Sequence, residues 1–212
     1  MLENVSIFAN VPEKQLQELE KISVVRNYPK NTILFMEGDE NNQLFIIQSG
    51  KVSVYVNGDD GKQVILNFMS DGEYFGELSL LDRKPRSASV MTVTDCRFMT
   101  ISRANFQQFL EDNPVFSLNI MEGLVSKVRE LTGNVKNLAL LDVYGRVADV
   151  LTRLSDGDNC IANPKMTHQD IANMVGASRE MVSRIMKELI VGGYIEQSSN
   201  AIQIKKEFPK GW

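Results

Sequence analysis

The hydrophobic pattern of this chain changes its period at Ser102, and this change constrains the fold more than any other feature. From about Val24 to Ile101, short runs rich in Val, Ile, Phe and Tyr alternate with glycine-containing turns, at a spacing of roughly 8 to 12 residues that is typical of β-sandwiches and barrels. After Ser102 the apolar residues recur every three or four positions, as in amphipathic helices. The sequence therefore predicts an α+β protein with an N-terminal β domain and a largely helical remainder.

The β domain is predicted to be a β-sandwich or jelly roll. Its clearest strand candidates are residues 32–35, 44–47, 52–56 and 64–66. The segment Asn57-Gly58-Asp59-Asp60-Gly61 favours a hairpin turn, because Asn, Gly and Asp tolerate positive φ. A short amphipathic helix over residues 12–22 precedes the strands, with Pro12 in its first helical position.

A long helix is predicted from Pro114 to about Leu138, after a short helix over residues 103–110. One apolar stripe runs along the long helix with alternating spacings of three and four. Its members are Met121, Leu124, Val128, Leu131, Val135 and Leu138. A strict heptad stripe favours a coiled coil with a second copy of the chain. The alternative is packing on the chain's own β domain, for which a wider apolar stripe is usual.

The C-terminal segment has the spacing of a helix-turn-helix. Asp142 can cap a helix over residues 143–154. Further on, Thr167 and Asp170 form a capping-box pattern, Gly176 ends that helix, and Ser178 caps the next.

Two apolar segments, 193–195 and 202–204, then predict a β-hairpin. Together with the two capped helices, the hairpin indicates a winged helix-turn-helix. The alternative is a small helical bundle with an exposed polar helix.

Polar residues at the starts of the two helices, and on the outer face of the second, are candidate DNA contacts. They are Thr167, Gln169, Ser178, Arg179, Glu180, Arg184 and Lys187. Arginine can bind guanine O6 and N7 with two donors and glutamate can accept from cytosine N4, while hydroxyls and amides at helix starts reach phosphates. His168 lies in the same region, and we expect it to be exposed beside a phosphate.

Composition excludes several other classes of function. The net charge of −4 and the sequence pI near 5.2 argue against a protein that coats nucleic acid without selectivity. The segment from Lys165 to Trp212 nevertheless holds seven Lys and Arg against five Asp and Glu, so it carries a net charge of +2, and the rest of the chain carries −6. Positive charge is thus concentrated in the predicted reader of DNA.

Metal and membrane chemistry are not expected. The two cysteines lie far apart without a CxxC pair, and the chain has one histidine, so no zinc, iron–sulfur or haem site is predicted. No catalytic constellation is present, which predicts a protein that is not an enzyme. The sequence has no signal-peptide pattern and no apolar run of membrane-spanning length, so we expect a soluble, cytoplasmic protein without a membrane partner.

Three motifs resemble a known family. The segment Phe75-Gly76-Glu77-Leu78, followed by Pro85-Arg86-Ser87-Ala88, resembles the phosphate-binding cassette of cyclic nucleotide-binding domains. The winged helix with Ser178-Arg179-Glu180 and Ser183-Arg184 resembles the DNA-reading domain of the Crp/Fnr family, and residues 137–146 look like that family's hinge and following helix. The resemblance spans essentially the whole chain.

The resemblance implies a homodimeric transcription regulator that a cyclic nucleotide controls allosterically. Its expected partners are double-stranded DNA with a palindromic site, for example with TGTGA-type half-sites, and RNA polymerase. The implied domains are a cyclic nucleotide-binding jelly roll over 1–112, a dimerisation helix and hinge over 113–141, and a winged helix-turn-helix over 142–212.

The resemblance also implies a set of ligand-binding residues. They are Gly76, Glu77, Leu78, Arg86, Ser87, Leu131 and Thr132. Arg86 would meet the cyclic phosphate with paired donors, aided by Ser87 and backbone N–H groups, and Glu77 would accept from the ribose 2′-hydroxyl. The alternative for Glu77 and Arg86 is an ordinary ion pair at the surface.

Leu131 departs from the family pattern. Cyclic AMP-binding members offer adjacent Thr and Ser hydroxyls on the long helix to the adenine amino group, one from each subunit, and the matching positions here are Leu131 and Thr132. Cyclic AMP remains the first expectation, with Thr132 alone holding adenine. The alternatives are a ligand-independent dimer held by Leu131, another ligand such as cyclic di-GMP, or a nucleotide-sensing module that acts through protein contacts.

Overall fold

The computed structural model describes residues 2–40, 42–59, 61, 63–155, 160–161, 166–198 and 201–209. The chain divides into two compact units, Met1–Arg129 and Glu130–Trp212. The three-part division into 1–112, 113–141 and 142–212 stays a prediction.

The first unit is a sandwich of two antiparallel sheets. Within its described residues the strands are Val24–Tyr28 (β1), Ile33–Phe35 (β2), Gln43–Ser49 (β3), Val52–Asn57 (β4), Gln63–Met69 (β5), Tyr74–Phe75 (β6), Ser89–Thr92 (β7) and Cys96–Ser102 (β8). One sheet has the order β1-β8-β3-β6 and the other β2-β7-β4-β5. Phe35 and Val90 from one sheet meet Phe45 and Phe98 from the other in a buried cluster. This architecture confirms the predicted N-terminal β domain.

The structure describes four α-helices in the first unit, of which the second was not expected from the sequence. They are Glu13–Lys21 (α1), Glu77–Asp82 (α2), Arg103–Asp112 (α3) and Pro114–Leu140 (α4), the last of which continues into the second unit. The prediction that Pro12 is the first helical residue is wrong by one position. Pro12 has an extended ψ of 135°, and its carbonyl accepts the first bonds of α1 from the N–H groups of Gln15 and Leu16.

The N-terminal residues form a second apolar core with α3 and α4. Two short 3-10 turns, Leu2–Asn4 and Ser6–Phe8, were not expected from the sequence. Phe8 is buried and stacks on Phe116 of α4, with ring centroids 5.3 Å apart. Phe116 and Ile120 are the buried residues of α4, so this core fixes the start of the long helix in the first unit.

The second unit contains a three-helix core and a small sheet. The helices are Val143–Leu154 (α5), His168–Val175 (α6) and Arg179–Val191 (α7), and the strands are Cys160–Ile161 (β9), Ile195–Gln197 (β10) and Ile202–Ile204 (β11). The predicted helices and the β10–β11 hairpin are confirmed. Strand β9, which pairs with β11, was missed because its two residues follow a polar segment without a strand pattern.

Candidate functional site

The cassette over residues 74–88 forms a strand, a glycine turn and a short helix. Gly76 lies between β6 and α2 with φ +90°, a conformation that side chains rarely adopt. A Cβ atom at this position would lie 2.5 Å from Arg86 Nη1 and 2.9 Å from the Gln43 carbonyl oxygen. Glycine is therefore required both by the backbone conformation and by the close approach of Arg86.

Arg86 is held inside the cassette by several acceptors. The residue is buried, with only 3% of its surface exposed. Nη1 donates to the Gly76 carbonyl at 2.7 Å and to Ser79 Oγ at 2.8 Å, and Nη2 donates to the Gln43 carbonyl at 2.6 Å. These acceptors fix the plane of the guanidinium.

The electrostatic setting of Arg86 favours an anion. Its Cζ lies 4.2 Å from the centroid of the Phe35 ring. Burial lowers the pKa of Arg86 to about 10. The Glu77 carboxylate has the opposite, smaller effect and raises this pKa. A desolvated cation whose acceptors include neutral carbonyls and a hydroxyl can gain strongly from an anionic ligand.

Glu77 is also buried, at 2% exposure, and it forms an ion pair with Lys127 of α4. Lys127 Nζ lies 2.6 Å from Glu77 Oε1 and 4.9 Å from the centroid of the Tyr74 ring. Because both Glu77 and Arg86 are buried, the alternative of an ordinary surface ion pair is excluded. Lys127 was missed in the sequence, because it lies far from Glu77 along the chain.

Leu78 and Ser87 stand at the surface beside these buried charges. Leu78 is 43% exposed and Ser87 is exposed. The cassette thus combines a buried cation and carboxylate with an exposed hydroxyl and an apolar side chain. This combination suits a small ligand with an anionic group and hydroxyls.

Leu131 and Thr132 belong to the second unit and are both exposed on α4. Other members of the apolar stripe are exposed as well: Met121 at 56%, Val128 at 62%, Leu131 at 57%, Val135 at 64% and Leu138 at 58%. Leu124 is the exception, because it packs partly against the core of the first unit.

The helix-turn-helix is fixed by the predicted caps. Thr167 Oγ accepts from the Asp170 N–H, and the Asp170 carboxylate accepts from the Thr167 N–H, so the capping box is complete. Gly176 ends α6 with φ +63°, and Ser178 Oγ accepts from the Met181 N–H at the start of α7. These contacts fix where α6 ends and where α7 begins.

The candidate DNA contacts are all exposed. They are Thr167, Gln169, Ser178, Arg179, Glu180, Arg184 and Lys187. Gln169 Nε2 donates to Asn173 Oδ1 at 2.8 Å within α6. The other face of α7 packs into the core of the unit through Val182, Ile185, Met186 and Leu189.

The expectation that His168 is exposed is wrong. His168 is half-buried, and its Nδ1 is 2.9 Å from Ser183 Oγ. Ser183 of α7 is also half-buried. The hydrogen bond between the two residues joins the start of α6 to α7.

Two further features support the helix-turn-helix. Arg146 of α5 donates from Nε to the Val175 carbonyl and from Nη1 to the Leu141 carbonyl, both at 2.9 Å. In the hairpin, Lys205 Nζ lies 2.8 Å from Glu196 Oε2 and lowers the pKa of that carboxyl. The sequence did not indicate these roles, because each depends on a partner outside the local pattern.

Neither a metal centre nor a membrane span is found in the residues that the structure describes. No group of three or more His, Cys, Asp or Glu side chains there could hold a metal ion. None of the described helices is both long and apolar enough to cross a membrane. The cytoplasmic location stays a prediction.

Comparison with known proteins identifies both units. Residues 25–113 match the family model of the cyclic nucleotide-binding domain, and residues 145–207 match that of the Crp-like helix-turn-helix domain. The CRP-like cAMP-activated global transcriptional regulator of Mycobacterium tuberculosis is 30% identical over 210 residues, which cover 96% of this chain and 94% of that protein. The cAMP-activated global transcriptional regulator CRP of Pasteurella multocida is 34% identical over 171 residues, covering 78% and 82% respectively.

Among solved structures, the c-di-GMP-responsive global regulator CLP of Xanthomonas campestris has a TM-score of 0.79 and 27% identity, covering 92% of this chain and 100% of that one. The relatives and both domain models belong to a family of regulators rather than enzymes, which confirms the predicted absence of catalysis. From its cassette, its helix-turn-helix and these matches, the chain belongs to the Crp/Fnr family: it is a Crp-like, DNA-binding transcription regulator with a cyclic nucleotide-binding domain.

Proposed function

We propose that this chain is a homodimeric regulator whose DNA binding is switched by a cyclic nucleotide, with cyclic AMP as the first candidate. The observation that carries the proposal is the buried Arg86, whose lowered pKa and partly neutral acceptors provide a site for an anionic ligand. The names of the M. tuberculosis and P. multocida relatives, both cAMP-activated, support cyclic AMP.

In this proposal the cassette binds the cyclic phosphate and the ribose. Arg86 contributes paired donors to the phosphate, and the exposed Ser87 and nearby backbone N–H groups add further bonds. Glu77 accepts from the ribose 2′-hydroxyl. Its partner Lys127 holds the carboxylate in position as an acceptor. Gly76 allows the backbone to come close to the ligand, and Leu78 offers it an apolar contact.

The residues proposed to bind the base depart from the family pattern, and this departure is the reason for a second candidate ligand. Thr132 provides one hydroxyl for adenine, whereas Leu131 provides none. The likeness to CLP, which is described as c-di-GMP-responsive, favours cyclic di-GMP as the alternative ligand. A ligand-independent dimer is the third candidate, since Leu131 extends the apolar stripe.

Dimerisation is proposed through the exposed stripe of α4. Its exposed members lie at heptad spacing, as the seam of a parallel coiled coil requires. A second copy would bury large apolar side chains that water otherwise surrounds. The ligand can shift the dimer toward a DNA-competent state only by its greater affinity for that state.

In the DNA-competent dimer the two α7 helices would enter successive major grooves, about 34 Å apart. Arg179, Glu180 and Arg184 would read bases, and the side chains at the starts of α6 and α7 would contact phosphates, with Lys187 adding positive charge. The site would be palindromic, with TGTGA-type half-sites, and RNA polymerase is the expected protein partner. The exposure of these three readers disfavours a module that acts through protein contacts alone.

Calorimetric titration of nucleotide-stripped protein tests the ligand. We expect heat from cyclic AMP in the wild type and none from Arg86→Ala at the same concentrations, with both proteins dimeric. Cyclic GMP and cyclic di-GMP are titrated in parallel to distinguish the ligands. If only cyclic di-GMP gave heat, it would replace cyclic AMP as the proposed ligand. Identical heats in the wild type and in Arg86→Ala would show that Arg86 does not contribute to ligand binding.

A further inference from the structure

One large apolar side chain interrupts the polar outer face in the N-terminal half of α7. Met181 is 44% exposed, although it lies in the first turn of a helix whose other apolar residues up to Leu189 are buried. Among the described residues of the second unit, it belongs neither to the apolar core nor to the side chains packed against that core. Packing against these described residues therefore does not explain a methionine at this position.

Met181 lies beside the residues that are proposed to read DNA. Positions three and four apart are neighbours on a helix, so Met181 and Glu180 flank Arg184 on opposite sides of the exposed face. All three side chains are exposed. Residues in the N-terminal half of a recognition helix are those that reach base edges.

The contacts around Met181 hold its backbone in place and leave its side chain exposed. Its N–H donates to Ser178 Oγ at 3.2 Å, which holds its backbone in the first turn. The nearby Ser183 hydroxyl is engaged by His168 in a hydrogen bond inside the unit. Beside Arg184, the outer surface thus presents a carboxylate on one side and an unbranched, adaptable thioether on the other.

We propose that Met181 contacts the C5-methyl group of one thymine in each half-site, and so contributes to the sequence selectivity of the protein. This methyl is the apolar group that base pairs present in the major groove, and apolar side chains are its natural partners. The inference rests on the proposed DNA reading by α7, and it adds selectivity for thymine to the guanine and cytosine contacts of Arg184 and Glu180.

The test replaces thymine by deoxyuridine, which lacks only the C5-methyl. A binding site is first selected by the full-length protein from random duplexes, in separate pools without nucleotide and with cyclic AMP, cyclic GMP or cyclic di-GMP. Each thymine of the selected site is then replaced in turn, and the Kd is measured by fluorescence anisotropy. We expect one position per half-site at which the replacement weakens wild-type binding about fourfold, the loss of one buried methyl.

Met181→Ala is expected to bind the thymine and deoxyuridine sites with the same Kd, whereas Met181→Leu keeps the difference. The alanine variant is expected to fold, because alanine favours a helix and the position is exposed. Met36→Ala, which removes a methionine exposed at 49% in the first unit, is the matched control and should keep the wild-type response.

Two results would overturn the inference while leaving DNA reading intact: equal Kd values for every thymine and deoxyuridine pair in the wild type, or an undiminished difference in Met181→Ala. Failure to select any duplex in all four pools would overturn the proposed function itself, and this inference with it.

Discussion

Gly76 combines a backbone conformation and a close contact that only glycine tolerates. Gly38 has nearly the same φ, +86° against +90°, but a Cβ there would meet nothing within 4 Å. Substitutions at the two glycines can therefore be compared to separate the cost of backbone strain from the cost of the clash with Arg86.

We predict that Gly76→Ala lowers the free energy of unfolding by about 3 kcal/mol, the sum of backbone strain and overpacking, and abolishes nucleotide binding. Gly38→Ala should cost about 1–2 kcal/mol, from strain alone, and retain the ligand. Denaturant unfolding and calorimetry measure both effects. Equal losses of stability in the two variants would show that the clash between the added methyl group and Arg86 costs no stability.

Tyr74 links the cassette to the pH dependence of stability. Burial, assisted by the Glu77 carboxylate, raises the pKa of Tyr74 to about 12 from the usual 10. The unfolded chain loses this phenolic proton near pH 10 and the folded protein near pH 12, so the stabilisation is complete below pH 10 and declines as the pH rises through this interval. Arg86 acts in the opposite sense there, because its pKa is lowered to about 10.

The effect of Tyr74 is therefore measured as a difference between proteins. Between about pH 8 and about pH 11, the wild type should lose about 1 kcal/mol more of its free energy of unfolding than Tyr74→Phe. Denaturant unfolding at both pH values gives this difference. Parallel losses in the two proteins would contradict the raised pKa of Tyr74.

At the scale of elements, the long helix α4 exposes an apolar stripe that we assign to the dimer. Val135→Glu would place a carboxylate in the seam without a partner, at a cost of about 3 kcal/mol or more. We predict that this variant sediments as a monomer, whereas Lys136→Glu, at an exposed position outside the stripe, remains a dimer. If the Val135→Glu protein remained a dimer, the dimer interface would have to lie outside the apolar stripe of α4.

The elements that the sequence predicted best are those with local signals. Asp142, Thr167 and Ser178 cap helices through bonds to residues three positions away, so spacing alone located the starts of α5, α6 and α7. Lys127 and the Gln43 carbonyl were missed, because their partners in the cassette, Glu77 and Arg86, lie far away in the sequence. Pairing between distant segments depends on sheet register and packing, which a local pattern does not contain.

The whole molecule joins a cyclic nucleotide-binding sandwich to a reader of DNA, and we propose that a nucleotide in the first controls the second. Such control is a coupling free energy, which is reciprocal between ligand and DNA.

The most direct test is the DNA affinity of the full-length protein with and without saturating cyclic AMP, measured by fluorescence anisotropy on the selected site. We predict that cyclic AMP lowers the Kd for DNA about tenfold or more in the wild type and leaves it unchanged in Arg86→Ala. Equal DNA affinity in the wild type with and without cyclic AMP, cyclic GMP and cyclic di-GMP would contradict nucleotide control of DNA binding, and would identify a dimer that reads DNA without a nucleotide signal.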